Sequence, residues 1–291
     1  MKKLIKFSLI IMTLLSSIPV FAAINVVAAE NFYGNVAHLI GGDRVKVKSI
    51  IANPDADPHL FTTSAKTAVD IHDADVIIYN GADYDPWIKQ LLSATTRDKP
   101  PIIIDVANLM DVKSGENPHI WYNPKTFPAL AQKLSETFSS LDPKHATTFK
   151  RNLETFLNRF DAIDQLINQI RVKYKGTAVT ATEPVFGWMA NALGLDMKAL
   201  KFQWLIMNDS EPTPRMMADF QNLIRQHKVD VLFYNQQVAD PLTQNILLLA
   251  QKSHVAVVGI SETMPAAENV ITWMKQVLNQ TEQALESSDG K

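Results

Sequence analysis

A chain of 291 residues with 46% hydrophobic and 20% charged residues is long enough to bury two ordinary cores and has no disordered or low-complexity composition. Its formal charge of −2 argues against nucleic acid as a partner. The absence of cysteine excludes a disulfide framework, a thiolate metal ligand and a lipid carried on an N-terminal cysteine.

Lys2, Lys3 and Lys6 precede the apolar block 7–20, and small residues follow at Ala22 and Ala23. This is the pattern of a secretory signal peptide cleaved after Ala22 or Ala23. The block is shorter than the roughly 20 apolar residues of a membrane span and is broken by Ser16, Ser17 and Pro19. Removing residues 1–23 takes away three lysines and no acid, moving the formal charge from −2 to −5. A periplasmic, monomeric protein is expected.

Beyond the leader, strands are expected at 24–28, 45–52, 76–79 and 102–106, with helices at 33–40, 64–72 and around Trp87. Alternation of this kind predicts a parallel sheet. Asn53-Pro54-Asp55-Ala56-Asp57-Pro58-His59 forbids regular structure and places His59 in a loop. A second Pro-bounded loop, Asn117-Pro118-His119-Ile120-Trp121-Tyr122-Asn123-Pro124, precedes a helix at 127–138.

Apolar residues from Phe149 to Ile170 then recur at helical spacing. Asp142 reads as the N-cap with Pro143 in the first helical position, and Arg171, Lys173, Lys175 and Gly176 mark the end. Some 30 residues make a rod of about 45 Å. The pattern resumes with strands at 177–182, 202–207, 231–234 and 255–260. Helices are expected at 185–193, from Thr213-Pro214 to about 227, at 241–252 and at 268–285, with a frayed tail at 286–291. The expected organisation is a signal peptide (1–23), an α/β lobe (24–141), a linking helix (142–175) and a second α/β lobe (176–291). Each lobe carries about four mostly parallel strands and its own core.

In open parallel sheets, ligands bind beyond the carboxyl ends of the strands. His59 and Glu183 follow strands directly, Glu262 follows the last strand, and His119 lies in the loop after the fourth. Two precede the long helix and two follow it, so facing lobes would close them on one point. Two imidazoles and two carboxylates suit Mn, Fe or Zn, whereas an all-oxygen set would suit Ca or Mg. Spacing leaves blander roles open. Glu183 and Glu262 can cap the helices after them, and Asp55 and Asp57 can shape their turn. Trp87, Trp121 and Trp188 read as packing residues near the interlobe face, and His38, His72, His145, His227 and His254 as structural.

Asp57-Pro58-His59, Asn80-Gly81 with Trp87, Asn117-Pro118-His119-Ile120-Trp121 with Asn123-Pro124, and Glu183 to Trp188 run in order along the chain. Together they resemble the zinc/manganese solute-binding proteins of metal ABC importers. The resemblance implies two α/β lobes joined by one long helix, a divalent metal held between them by His59, His119, Glu183 and Glu262, and delivery to a membrane ABC permease. Zinc-type relatives have a third histidine where this chain has Glu183, and a His-rich loop before the second ligand; the segment 110–116 is short and has no histidine. Manganese-type relatives have Asp where this chain has Glu262. The set therefore leans slightly toward Mn or Fe over Zn. Two rivals are a metal-dependent hydrolase using the same ligands, which lacks a HExxH helix or a free general base, and an exported adhesin-like module.

Overall fold

The computed structural model describes residues 23–54, 58, 61–94, 99–238 and 240–289; the expected signal peptide lies outside them up to residue 22. Valine- and isoleucine-rich runs of the first half form β1 (Ile24–Glu30), β2 (Val45–Ile51), β3 (Val76–Tyr79) and β4 (Ile102–Asp105). Between and after them come α1 (Asn31–Gly41), α2 (Ala65–Asp73), α3 (Pro86–Ala94), α4 (Val106–Leu109) and α5 (Thr126–Leu141). The long helix is α6 (Ala146–Tyr174). The second half carries β5 (Ala178–Ala181), β6 (Asp196–Met197), β7 (Val231–Asn235) and β8 (Ala256–Ile260). Its helices are α7 (Gly187–Leu193), α8 (Leu200–Met207), α9 (Pro214–Arg225), α10 (Pro241–Lys252) and α11 (Val270–Asp289).

The two sheets have the strand orders β2-β1-β3-β4 and β6-β5-β7-β8, with every pairing parallel. The second half therefore repeats the topology of the first strand for strand. Helix starts follow their sequence signals. Ser64 forms a capping box with Thr67, Thr213 caps α9 ahead of Pro214, and Asp240 caps α10.

Three expectations about secondary structure require correction. The run 202–207 is the helix α8 and not a strand; the fourth strand of the second sheet is the two-residue β6. A short apolar run carries no period that separates strand from helix. Here Phe202 turns inward to stack on Phe220 at 4.0 Å while Gln203 donates to the Lys198 carbonyl at 2.8 Å. The tail expected to fray from 286 continues α11, and the Ser288 hydroxyl donates to the Asp230 carbonyl at 3.1 Å. At the start of the long helix, residues Pro143–His145 form a 3-10 turn. Asp142 makes no capping bond to the backbone; its Oδ2 instead pairs with His145 Nδ1 at 2.6 Å.

Instead of two separate cores, one apolar cluster extends through both lobes. The buried stripe of α6, which includes Phe149, Phe156, Phe160, Ile163 and Ile170, packs on α1 and α5 of the first lobe and on α7 and α11 of the second. Aromatic rings carry the contact across: Phe32 meets Trp273 at 5.8 Å, and Tyr122 meets Phe186 at 5.4 Å. Smaller clusters around Val27 and Ile77, and around Leu232 and Ile246, cover the opposite face of each sheet. Fully buried Ile163 sits at the middle of this seam, so Ile163→Ala should cost about 2–5 kcal/mol. Val172→Ala, at a position 86% exposed, should stay within about 0.5 kcal/mol, with urea unfolding as the measurement for both.

Candidate metal centre

The strand ends of the two sheets meet in the crevice between the lobes. Glu183 stands two residues past β5, Glu262 two residues past β8, and His119 opens the 3-10 turn Ile120–Tyr122. All three are buried, His119 and Glu262 completely. Glu183 makes no capping bond to the turn that follows it, so the capping role that spacing allowed is not what holds it.

The orientation of His119 is settled by its neighbours. Asn117 Nδ2 donates to the Pro184 carbonyl at 2.8 Å, which turns Asn117 Oδ1 toward His119 Nδ1 at 2.7 Å. That acceptor assigns the ring proton to Nδ1 and leaves a lone pair on Nε2. Nε2 is buried, has no hydrogen-bond partner among the described residues, and stands 3.5 Å from Glu262 Oε2. Trp121 lies edge-on to the imidazole at 5.2 Å and Tyr84 at 6.1 Å, forming an aromatic wall around it.

Glu262 is held from both lobes. Tyr84 donates its hydroxyl to Oε2 at 2.9 Å, and Asn235 Nδ2 donates to Oε1 at 2.6 Å. The same Asn235 nitrogen reaches Glu183 Oε2 at 3.2 Å, so one amide ties the two acids together. Burial first, and the Glu262 charge next, push the Tyr84 phenol well above its ordinary value, which keeps it a donor. Gln237 supports the arrangement: its Oε1 accepts the Glu262 N–H at 2.5 Å and its Nε2 donates to the Pro54 carbonyl at 3.0 Å. Further cross-lobe bonds run from Tyr122 to the Ser261 carbonyl at 2.9 Å and from Trp188 to the Asn117 carbonyl at 3.0 Å.

Tyr84 is presented by a turn in which Gly81, Ala82 and Asp83 all have positive φ, at 77°, 48° and 65°. A side chain at Gly81 would also run into Asp105 Oδ1, with its Cβ only 2.3 Å away. Non-glycine residues in this region carry roughly 1 kcal/mol or more of strain each and persist only where surrounding bonds hold them. Asp85 does so, accepting the N–H groups of Asn80 at 2.6 Å and Gly81 at 2.8 Å.

Three of the four expected ligands thus gather in one crevice. The fourth, His59, lies outside the described residues, as do Asp55 and Asp57. Among the described residues no three His, Asp or Glu side chains converge closely enough to hold a metal by themselves. Trp121 and Trp188 pack at the interlobe face, and Trp87 packs on Phe61. Of the histidines read as structural, His145 pairs with Asp142, while His227 and His254 line a cavity of about 380 Å³ at the opposite end of the second sheet. A larger cavity of about 590 Å³ opens beside Glu183 and is walled by Met207, Met217, Glu211 and Asp240. Tyr84, Asn235 and Gln237 escaped sequence reasoning. Their only signal is position: Asn235 ends β7 and Gln237 follows it, beside the strand that leads to Glu262.

The family model for "Zinc-uptake complex component A periplasmic" matches residues 26–284. The iron-binding protein YfeA of Yersinia pestis is 23% identical over 223 residues, covering 74% of this chain and 70% of that protein. The manganese ABC transporter substrate-binding lipoprotein PsaA of Streptococcus mitis is 24% identical over 233 residues, covering 75% and 74%. Among solved structures, the periplasmic zinc-binding protein TroA of Treponema pallidum superposes with a TM-score of 0.76 at 18% identity, covering 91% of this chain and 99% of that one.

Because one amide hydrogen-bonds both acids, Asn235→Leu should release Glu183 and Glu262 together. Loss of a bond that orients ligands typically weakens metal affinity about 10- to 100-fold, and competition titration against a chromogenic chelator measures it.

Proposed function

The chain belongs to the family of periplasmic zinc-uptake complex components A, metal-binding substrate-binding proteins of ABC importers, and from that premise we propose that it captures a single Mn, Zn or Fe ion as its cargo and delivers it to a membrane permease. His59, His119, Glu183 and Glu262 are the proposed ligands. The observation that carries this reading is the pair of acceptors facing each other, His119 Nε2 and Glu262 Oε2, 3.5 Å apart and out of water. Two acceptors in van der Waals contact repel unless a proton or a metal cation lies between them. Ligands about 2.1 Å from one tetrahedral ion stand about 3.4 Å apart, the separation seen here.

The donor set supports a first-row transition metal. An imidazole nitrogen disfavours Ca and Mg, and two carboxylates cancel the charge of a divalent ion in a buried crevice. Tyr84, Asn235 and Asn117 orient the donors without supplying one, in keeping with the role of outer partners in metal sites. The named relatives include an iron-binding, a manganese-transport and a zinc-binding protein. The carboxylates at both Glu183 and Glu262 lean the choice toward Mn or Fe.

Calorimetric titration of the purified protein with Mn(II), Fe(II) and Zn(II) tests the reading; no binding at neutral pH would sink it. His119→Ala and Glu262→Ala should each lower affinity by about 100-fold or more, against a negligible effect of His145→Ala. Lobes joined by one stiff helix and a continuous core should rock only slightly on release, leaving the radius of gyration of metal-free and metal-loaded protein the same within about 0.5 Å by X-ray scattering.

A further inference from the structure

The repeated topology gives Glu183 a counterpart. Glu183 follows the first strand of the second sheet, and Glu30 ends the first strand of the first sheet. Likewise Asn235 ends β7 and Asn80 follows β3, the strands in third place of each order. In the second lobe the amide donates to the acid. In the first lobe it does not: Asn80 Nδ2 donates to the Gly81 and Pro118 carbonyls at 3.0 and 2.8 Å, and its Oδ1 accepts from the Tyr33 hydroxyl at 2.7 Å. Glu30 is left fully buried, with no hydrogen-bond partner for either oxygen among the described residues.

The acid acting on Glu30 is Asp85, itself 3% exposed, and both Asp85 oxygens are already occupied by the Asn80 and Gly81 N–H groups. Among the described residues, the Tyr33 and Tyr84 phenols also feel the Glu30 charge. Two ionised carboxylates in this place would be two acceptors with no donor between them. A proton on Glu30 supplies the donor, because the two backbone N–H groups favour the charged form of Asp85.

Resting on the reading of the crevice as the metal site, we propose that Glu30 is a positioning residue for metal capture: its neutral carboxylic acid donates to Asp85 and so holds the turn that presents Tyr84 to Glu262. The turn needs such a hold, since three consecutive residues in it have positive φ. Asn80 extends the effect to His119 through the Pro118 carbonyl. Burial, then the Asp85 charge, raises Glu30 well above the ordinary carboxylic range, and Asp85 is raised to about 6, chiefly by burial. A group raised on folding contributes stability that is complete below its ordinary value and is lost as pH climbs through the raised one. Ionisation of Glu30 therefore loosens the turn from the alkaline side.

Wild type, Glu30→Gln and Glu30→Ala, titrated with Mn(II) and with Zn(II) from about pH 6 to about pH 9 and melted without metal over the same range, test this. Gln keeps a neutral donor, so E30Q should bind within about threefold of wild type at neutral pH, whereas E30A should bind about tenfold or more weaker. Without metal, the wild-type melting temperature should fall relative to E30Q as pH rises. Equal losses in E30Q and E30A, or wild-type and E30Q melting temperatures that stay parallel with pH while metal binding is intact, would overturn the proposal alone. Failure of the wild type to bind either metal would overturn the metal-site reading and the positioning role with it.

Discussion

Everything in the crevice depends on holding two hydrogen-bond acceptors, His119 Nε2 and Glu262 Oε2, 3.5 Å apart where water does not reach. In water neither group would stay beside the other without a cation, since each would keep its own hydration. Here the imidazole is fixed by Asn117, and the carboxylate by Tyr84 from one lobe and Asn235 from the other. The crevice is thus preorganised for positive charge by hydrogen bonds from residues outside the proposed ligand set.

Preorganisation of that kind requires the lobes to keep their spacing. The apolar stripe of α6 and the aromatic run from Phe32 through Trp273 and Tyr122 to Phe186 place both halves on one continuous core. Asn31 exchanges two bonds with the Met264 backbone, at 2.7 and 3.0 Å, and Asn35 accepts from Val270 N at 3.1 Å, stitching α1 to the entry of α11. Opening the crevice widely would expose this seam at roughly 25 cal/mol per Å² of apolar surface, a far larger cost than a small rotation that lengthens a few hydrogen bonds.

Much of this was legible in the chain because it is encoded locally. Alternating β-branched runs and amphipathic stretches disclose two parallel sheets, Thr213-Pro214 and Pro241 mark helix starts, and the residues directly after strands are where an open α/β sheet presents ligands. The strand expected at 202–207 failed because six residues of apolar sequence carry no period, and the inward turn of Phe202 depends on Phe220, distant in sequence. Tyr84 and Asn235 were invisible for a related reason. Their partner, Glu262, lies 178 and 27 residues away, and a tyrosine or asparagine in a turn announces nothing until the lobes are brought together. The single core was equally hidden, since hydrophobic content shows how much surface can be buried but not against which half.

The duplicated topology explains why the site is asymmetric. Each sheet places a glutamate at the end of, or just past, its first strand and an asparagine at the end of, or just past, its third, yet only in the second lobe does the asparagine donate to the acid. In the first lobe Asn80 is spent on the backbone of its own turn and on the His119 loop, so the metal-facing donor proposed there is the histidine of that loop. A pair of carboxylates from each lobe would put four negative charges around one divalent ion and leave a net charge of −2 buried without compensation. With the proposed ligands, imidazoles from the first lobe and carboxylates from the second, a divalent cargo would be neutralised. The first lobe's surplus acid, Glu30, is fully buried, and burial favours its neutral form.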